Sequence, residues 1–162
     1  MDDNCVYEDE HFKVVSPPKP LNCKYDGGHL ILFKKNPVTD RSDLTYQEAV
    51  NFMRISMAVG KAMYETLGIE RMNYEDLGNW GIDSPEGAKM HLHFMGRAHK
   101  QIHQVRGEHI SLFPKGHPIY NGHLESLSKI QVVELRTCVK RILSEEKYRK
   151  MAELAELAEL PL

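Results

Sequence analysis

Between Met90 and Arg97 the chain alternates: His91, His93 and Met95 are interleaved with Leu92 and Phe94. A period of two predicts a half-buried β-strand over 90–97. Leu92 and Phe94 then face the core, and His91, His93 and Met95 share the other face. Gly96 relaxes the backbone, and Arg97 offers a planar cationic fork where the strand ends. Phe12–Val15 reads as a shorter strand, closed by Pro17, Pro18 and Pro20, which cannot donate to a ladder. Asp26-Gly27-Gly28 is a turn signal. It leads into an apolar strand, His29–Phe33, with a histidine at its first position, ended by Lys34-Lys35-Asn36-Pro37. A further strand is placed within Ile69–Leu77, followed by a sharp turn at Gly78–Gly81 and a loop over Ser84–Gly87.

After Thr45 the period changes to that of a helix. Thr45 and Glu48 form a capping box, and Gly68 is the stop, so a helix is predicted from there to about Leu67. Phe52, Ile55, Val59, Met63 and Leu67 make one apolar stripe; Ala49, Met53, Met57 and Gly60 make a second of smaller residues. Two stripes mean packing on two sides. The second side fits either a second subunit or the same core. A second helix is expected from Leu124 to about Tyr148, with Leu127, Ile130, Val133, Cys138 and Ile142 apolar. The Ala-Glu-Leu repeat after Met151 has period three, which drifts around a helix and makes no coiled-coil seam. It reads as a solvated helical continuation. The division is therefore a domain over 1–123 and a helical extension over 124–162.

At 162 residues, 41% apolar and 27% charged, the composition is that of a globular protein. The charge is 21 minus 23, or −2, so no broad basic surface is implied and duplex nucleic acid is not an expected partner. Three widely spaced cysteines, Cys5, Cys23 and Cys138, without a Cys-x-x-Cys argue against a disulfide framework and a cysteine zinc knuckle. The acidic start is unlike a signal peptide, and no run reaches membrane-span length, so the expected compartment is the cytoplasm, with no membrane partner.

Nine histidines are many for this length. Two imidazoles and a guanidinium converging on one space suit an anion, most simply a phosphate. A neutral imidazole can attack phosphorus, and Arg97 can hold non-bridging oxygens. The plainer alternative is a wet sheet face carrying polar residues, with His29 structural and Trp80 as core or rim packing. His99 and His103, four apart, would share a helix face and could bind zinc. No carboxylate or cysteine is evidently partnered with them, and Gly107 and Pro114 break the region, so a solvated segment is expected there. Ser111–Tyr120 reads as a loop over the cleft.

Taken together, Phe-x-Val-Val, Gly-His-Leu-Ile-Leu-x-Lys-Lys, Leu-Thr-x-x-Glu, Asn-x-Gly and His-Leu-His-Phe, in this order over residues 10–97, resemble the histidine triad (HIT) superfamily. The resemblance implies an α+β fold with an antiparallel sheet of about five strands and one main helix, to which the C-terminal helix is an addition. It implies a homodimer. It also implies a nucleotide hydrolase or nucleotidyltransferase acting at the α-phosphate of a nucleotide conjugate through a nucleotidyl-histidine. His93 matches the nucleophile, and His91 matches the histidine whose carbonyl orients it. His29 matches the upstream histidine, and Asn79 the polar residue that touches phosphate or leaving group. Arg97 would steady the phosphate. Met95 stands where the third histidine belongs, a place filled by glutamine in the uridylyltransferase and dinucleoside polyphosphate phosphorylase branches. Ala88 stands near a usual Ser or Thr, and Phe33 replaces a usual proline. No metal or cofactor is demanded. Two alternatives remain: a metal-dependent hydrolase using His91, His93 and His99 or His103, and a nucleotide-binding module without turnover.

Overall fold

The computed structural model describes residues 2–157. Five strands form one antiparallel sheet: β1 (Cys5–Glu8), β2 (Phe12–Val15), β3 (His29–Lys34), β4 (Ile69–Glu75) and β5 (His91–Ala98), in the spatial order β1-β2-β3-β5-β4. The α+β architecture anticipated from the motifs, an antiparallel sheet of five strands with one main helix and further helix at the C-terminal end, is what the chain adopts. β1 has no counterpart in the sequence reading, because four residues flanked by acidic side chains carry too short a pattern to register.

The long helix α1 (Tyr46–Leu67) starts at the Thr45–Glu48 capping box, whose two bonds are made at 3.2 and 3.1 Å. It stops at Gly68, which takes the left-handed conformation (φ 61°) that glycine adopts at least cost. Its Phe52, Ile55, Val59 and Met63 stripe packs against Phe12, Val14, Leu30, Leu32, Leu92 and Phe94 of the sheet. The predicted single helix over 124–148 is instead two. α2 (Lys129–Leu143) begins at a second capping box, Ser128 with Gln131. Ser144 Oγ bonds the Arg141 carbonyl at 2.6 Å and the chain turns there into α3 (Glu146–Leu157).

α3 is not a free extension. Its Tyr148 and Ala155 are buried, and Arg54 of α1 donates to the Tyr148 carbonyl at 3.0 Å. α2 adds Val132, Leu135, Val139 and Ile142 to the same core. The end of the Ala-Glu-Leu repeat lies outside the described residues. Among the described residues no helix is long and apolar enough to cross a membrane.

β5 departs from the half-buried expectation, since Leu92 through Arg97 are all buried. One face meets α1. The other is covered by the 21–28 loop and the segment after His99. Asn22 Nδ2 donates to the carbonyls of Gly28 (3.0 Å) and Gly96 (2.8 Å). Gly27 and Gly96 touch backbone to backbone: a Cβ on Gly96 would lie 2.1 Å from the Gly27 oxygen.

Candidate functional site

The β3–β5 register places residues in facing pairs on the face away from α1: His29 with Met95, Ile31 with His93, and Phe33 with His91. At the Phe33–His91 end the face opens into a cleft of about 600 Å³, within the usual range for small-molecule sites. Ile31, Phe33 and Pro37 line one side, and Leu77, Trp80 and Met90 the other, with His91 and His93 on the floor. The three lysines on its rim are each paired: Lys34 with Glu48, Lys35 with Glu8, and Lys89 with Glu86.

Backbone groups fix where the protons sit on these rings. The Leu21 amide donates to His29 Nδ1 at 3.0 Å. A backbone N–H can only donate, so neutral His29 carries its proton on Nε2. That Nε2 lies 2.8 Å from His93 Nδ1, which must therefore accept, leaving the His93 proton on Nε2. His93 Nε2 is buried and has no hydrogen-bond partner among the described residues. His91 is set the other way. Its Nδ1 lies 2.7 Å from the Lys89 carbonyl, which can only accept, so the neutral His91 ring carries its proton on Nδ1 and has its lone pair on Nε2. The His91 and His93 ring centres are 4.6 Å apart. The cleft floor thus pairs a buried N–H with a neighbouring imidazole lone pair.

Burial keeps the inner rings neutral. It pushes the His93 pKa down to about 3, with His91 as the second cause. It also holds His29 well below the usual histidine value, assisted by His93 and then His91. The hydrogen bonds agree: a further proton on either ring would face the Leu21 amide or break the His29–His93 bond.

Of the residues read from the sequence, His29, His91 and His93 are brought together. Arg97 is not. It is buried beyond Met95, with Nε on Gln101, Nη1 on Asn73 and the Glu108 carbonyl, and Nη2 on the Val105 carbonyl at 2.8 Å. Its fork anchors the segment after β5 and does not line the cleft. Met95 is fully buried and also lies off the cleft lining. Asn79 is exposed on the turn whose neighbours Gly78, Trp80 and Gly81 form the wall. His99 and His103 share no helix: His99 pairs with Glu70 and His103 with Asp26. Among the described residues neither joins His91 and His93, so the metal arrangement of those two with His99 or His103 is not assembled. The sequence reading missed Ile31 and Phe33 as cleft-lining residues, although their period-two relation to His29 carried the signal. It missed the Leu21 amide and the Lys89 carbonyl because no side-chain pattern announces a backbone partner.

No family model matches the chain, and no curated protein matches it in sequence. Solved structures do match. A zinc-bound histidine triad family protein from Mycobacterium smegmatis superposes with a TM-score of 0.57 at 17% identity, covering 86% of this chain and 86% of that one. A histidine triad protein from Bradyrhizobium japonicum gives 0.57 at 16% identity, covering 85% and 87%. Plasmodium falciparum diadenosine triphosphate hydrolase, in complex with cyclomarin A, gives 0.51 at 14% identity, covering 90% and 80%. At these identities the likeness establishes the HIT fold.

Proposed function

We propose that the cleft binds a nucleotide conjugate, with its apolar walls on the nucleoside and its phosphate against His91 and His93, and that it acts as a nucleotide hydrolase or nucleotidyltransferase. The observation that carries this reading is the opposed proton placement on the two floor histidines. His93 Nε2–H donates to a phosphate oxygen. His91 Nε2, with its lone pair free, is the atom placed to attack the α-phosphorus. The P–N bond forms as the P–O bond to the leaving group breaks. The cationic ring then donates a stronger Nδ1–H bond to the Lys89 carbonyl. Water cleaves the P–N bond in the second step, releasing the nucleotide and returning neutral His91. An acceptor alcohol in place of water gives transfer.

Attack by His93 itself, the role implied by the family pattern, needs its proton moved to Nδ1 and His29 turned away from the Leu21 amide. Incubation with a set of dinucleoside polyphosphates and nucleotide conjugates, followed by acid-free peptide mass spectrometry, separates the readings. An adduct on His91 supports the assignment, and an adduct on His93 reverses the two roles. Tight nucleotide binding with neither adduct nor turnover leaves a binding module, a reading favoured by the same buried N–H donor. The homodimer is carried as part of this proposal, on the exposed end of the second α1 stripe at Ala49 and Met53; its other end is covered, with Gly60 under Tyr74 of β4.

A further inference from the structure

Cys23 and Asp26 stand three residues apart across a 3₁₀ turn over Lys24–Asp26. Side chains at i and i+3 of such a turn eclipse one another. The segment that follows β5 brings His103 to the same point. A Cys23 sulfur, an Asp26 oxygen and a His103 ring nitrogen all lie within 4.8 Å of one another. Cys23 is a buried free thiol, Asp26 has no exposed surface, and His103 is partly exposed.

The carboxylate is held from two sides. Oδ1 accepts from the backbone N–H groups of Ile102 and of His103, the latter at 3.0 Å. Oδ2 lies 3.0 Å from His103 Nδ1. A fully buried carboxylate requires compensation, and among the described residues its salt-bridge partner is His103 alone, an imidazole that is uncharged unless protonated. The donor set points further. Thiolate, imidazole and carboxylate together are what a borderline divalent metal takes. An Oδ1 tied to two amides is the outer support that aims a ligating carboxylate.

We propose that Cys23, Asp26 and His103 form a zinc site separate from the cleft, with Sγ, Oδ2 and Nδ1 as ligands and water as the fourth. Zinc bonds of about 2.0–2.3 Å place ligand atoms under roughly 4 Å apart, so the donors need to contract by no more than about 1 Å. Binding releases the thiol proton to solvent and moves the His103 proton from Nδ1 to Nε2. The ion ties the 22–28 loop to the segment after β5. The sequence reading saw no cysteine or carboxylate beside His103, because both partners come from the far side of β3.

The test uses the full chain, stripped with a chelator and reloaded with Zn²⁺ or Co²⁺. One equivalent of metal is expected by elemental analysis, with a near-ultraviolet thiolate-to-Co²⁺ charge-transfer band. Cys23→Ser abolishes the band, and Cys138→Ser leaves it. His103→Gln weakens Zn²⁺ binding by at least the roughly 10- to 100-fold that loss of a mere outer partner costs. Thermal melting of the unmodified chain covers the case of variants that fail to fold: added Zn²⁺ raises the melting temperature of the stripped protein. Absence of stoichiometric metal, absence of the band, a band that survives Cys23→Ser, or a melting temperature indifferent to Zn²⁺ overturns the proposal.

Discussion

His29 Nε2 stands 2.8 Å from His93 Nδ1, and the Leu21 amide on the far side of His29 decides the direction of that bond. Nitrogen-15 spectra of the imidazoles are expected to show His93 as the Nε2–H tautomer and His91 as the Nδ1–H tautomer at neutral pH. Two rings in the same tautomer would remove the basis for the division of labour in the cleft.

His91→Ala is expected to cut turnover of a confirmed substrate by several orders of magnitude, as loss of a covalent route does. His93→Ala removes a hydrogen bond to a charged group, worth about 1.5–3 kcal/mol, and so weakens binding and turnover by roughly 10- to 150-fold. Steady-state kinetics on both variants check this. Retention of activity within about tenfold in His91→Ala, some 1.4 kcal/mol of barrier, contradicts its role as nucleophile. Because a neutral imidazole is a poor acid, leaving groups stable as anions should depart faster, so phosphoanhydrides are expected to outrun phosphoramidates.

Met95, which the sequence resemblance sets in the place of a third histidine, has no exposed surface. Met95→His therefore puts a polar ring into a fully buried position, and is expected to cost about 1–3 kcal/mol of stability and to add no phosphoramidate turnover. Chemical denaturation and the phosphoramidate assay read the two halves. A fully stable variant with raised phosphoramidate turnover would place Met95 at the phosphate after all.

The depressed His93 pKa of about 3 has a consequence for stability. Between about pH 6.5 and 3 the unfolded chain takes up the proton that the folded site refuses. Its stability contribution is fully present above about pH 6.5 and is lost as pH falls toward 3. The slope is at most about 1.4 kcal/mol per pH unit. His29 acts in the same direction. Denaturant midpoints measured at pH 7 and pH 5 should fall further for the parent than for His93→Gln. Equal losses in both would mean that the ring protonates freely in the fold.

The self-association surface is testable at an exposed position. Met53 is 52% exposed and Tyr64 38%, on the stripe that includes Met57, with Tyr74 lying against Gly60. Light scattering at micromolar concentration should give a dimer, and Met53→Arg should shift it toward monomer without changing the far-ultraviolet spectrum. A parent that stays monomeric rules out this assembly.

How much of this was legible beforehand follows from the range of each signal. Period two marked β5, turn and proline signals bounded the short runs of β2 and β3, and the Thr45–Glu48 box with Gly68 marked both ends of α1, because these are local patterns. His91 and His93 were legible as a pair for the same reason, whereas His29, 64 residues from His93, joined them only through the family resemblance. Their proton placement was not, since it rests on the Leu21 amide and the Lys89 carbonyl. Arg97 illustrates the limit. Its position on β5 suggested an anion clamp, but Gln101, Val105 and Glu108 return to occupy it, and that closure depends on a loop without periodicity. The split at Ser144 was hidden by an apolar pattern that runs on across it.

The Gly27–Gly96 contact bears on how this protein tolerates change. Any side chain at Gly96 meets the Gly27 carbonyl and the Ile69 side chain, and any at Gly27 meets the Gly96 carbonyl. Overpacking against backbone costs about 1–3 kcal/mol or more, and here it also pushes away the loop that carries the Leu21 amide. In a saturation scan these two glycines would score as unforgivingly as the histidines. A ranking of sites by mutational sensitivity would then mark as chemistry a place where two stretches of main chain simply cross.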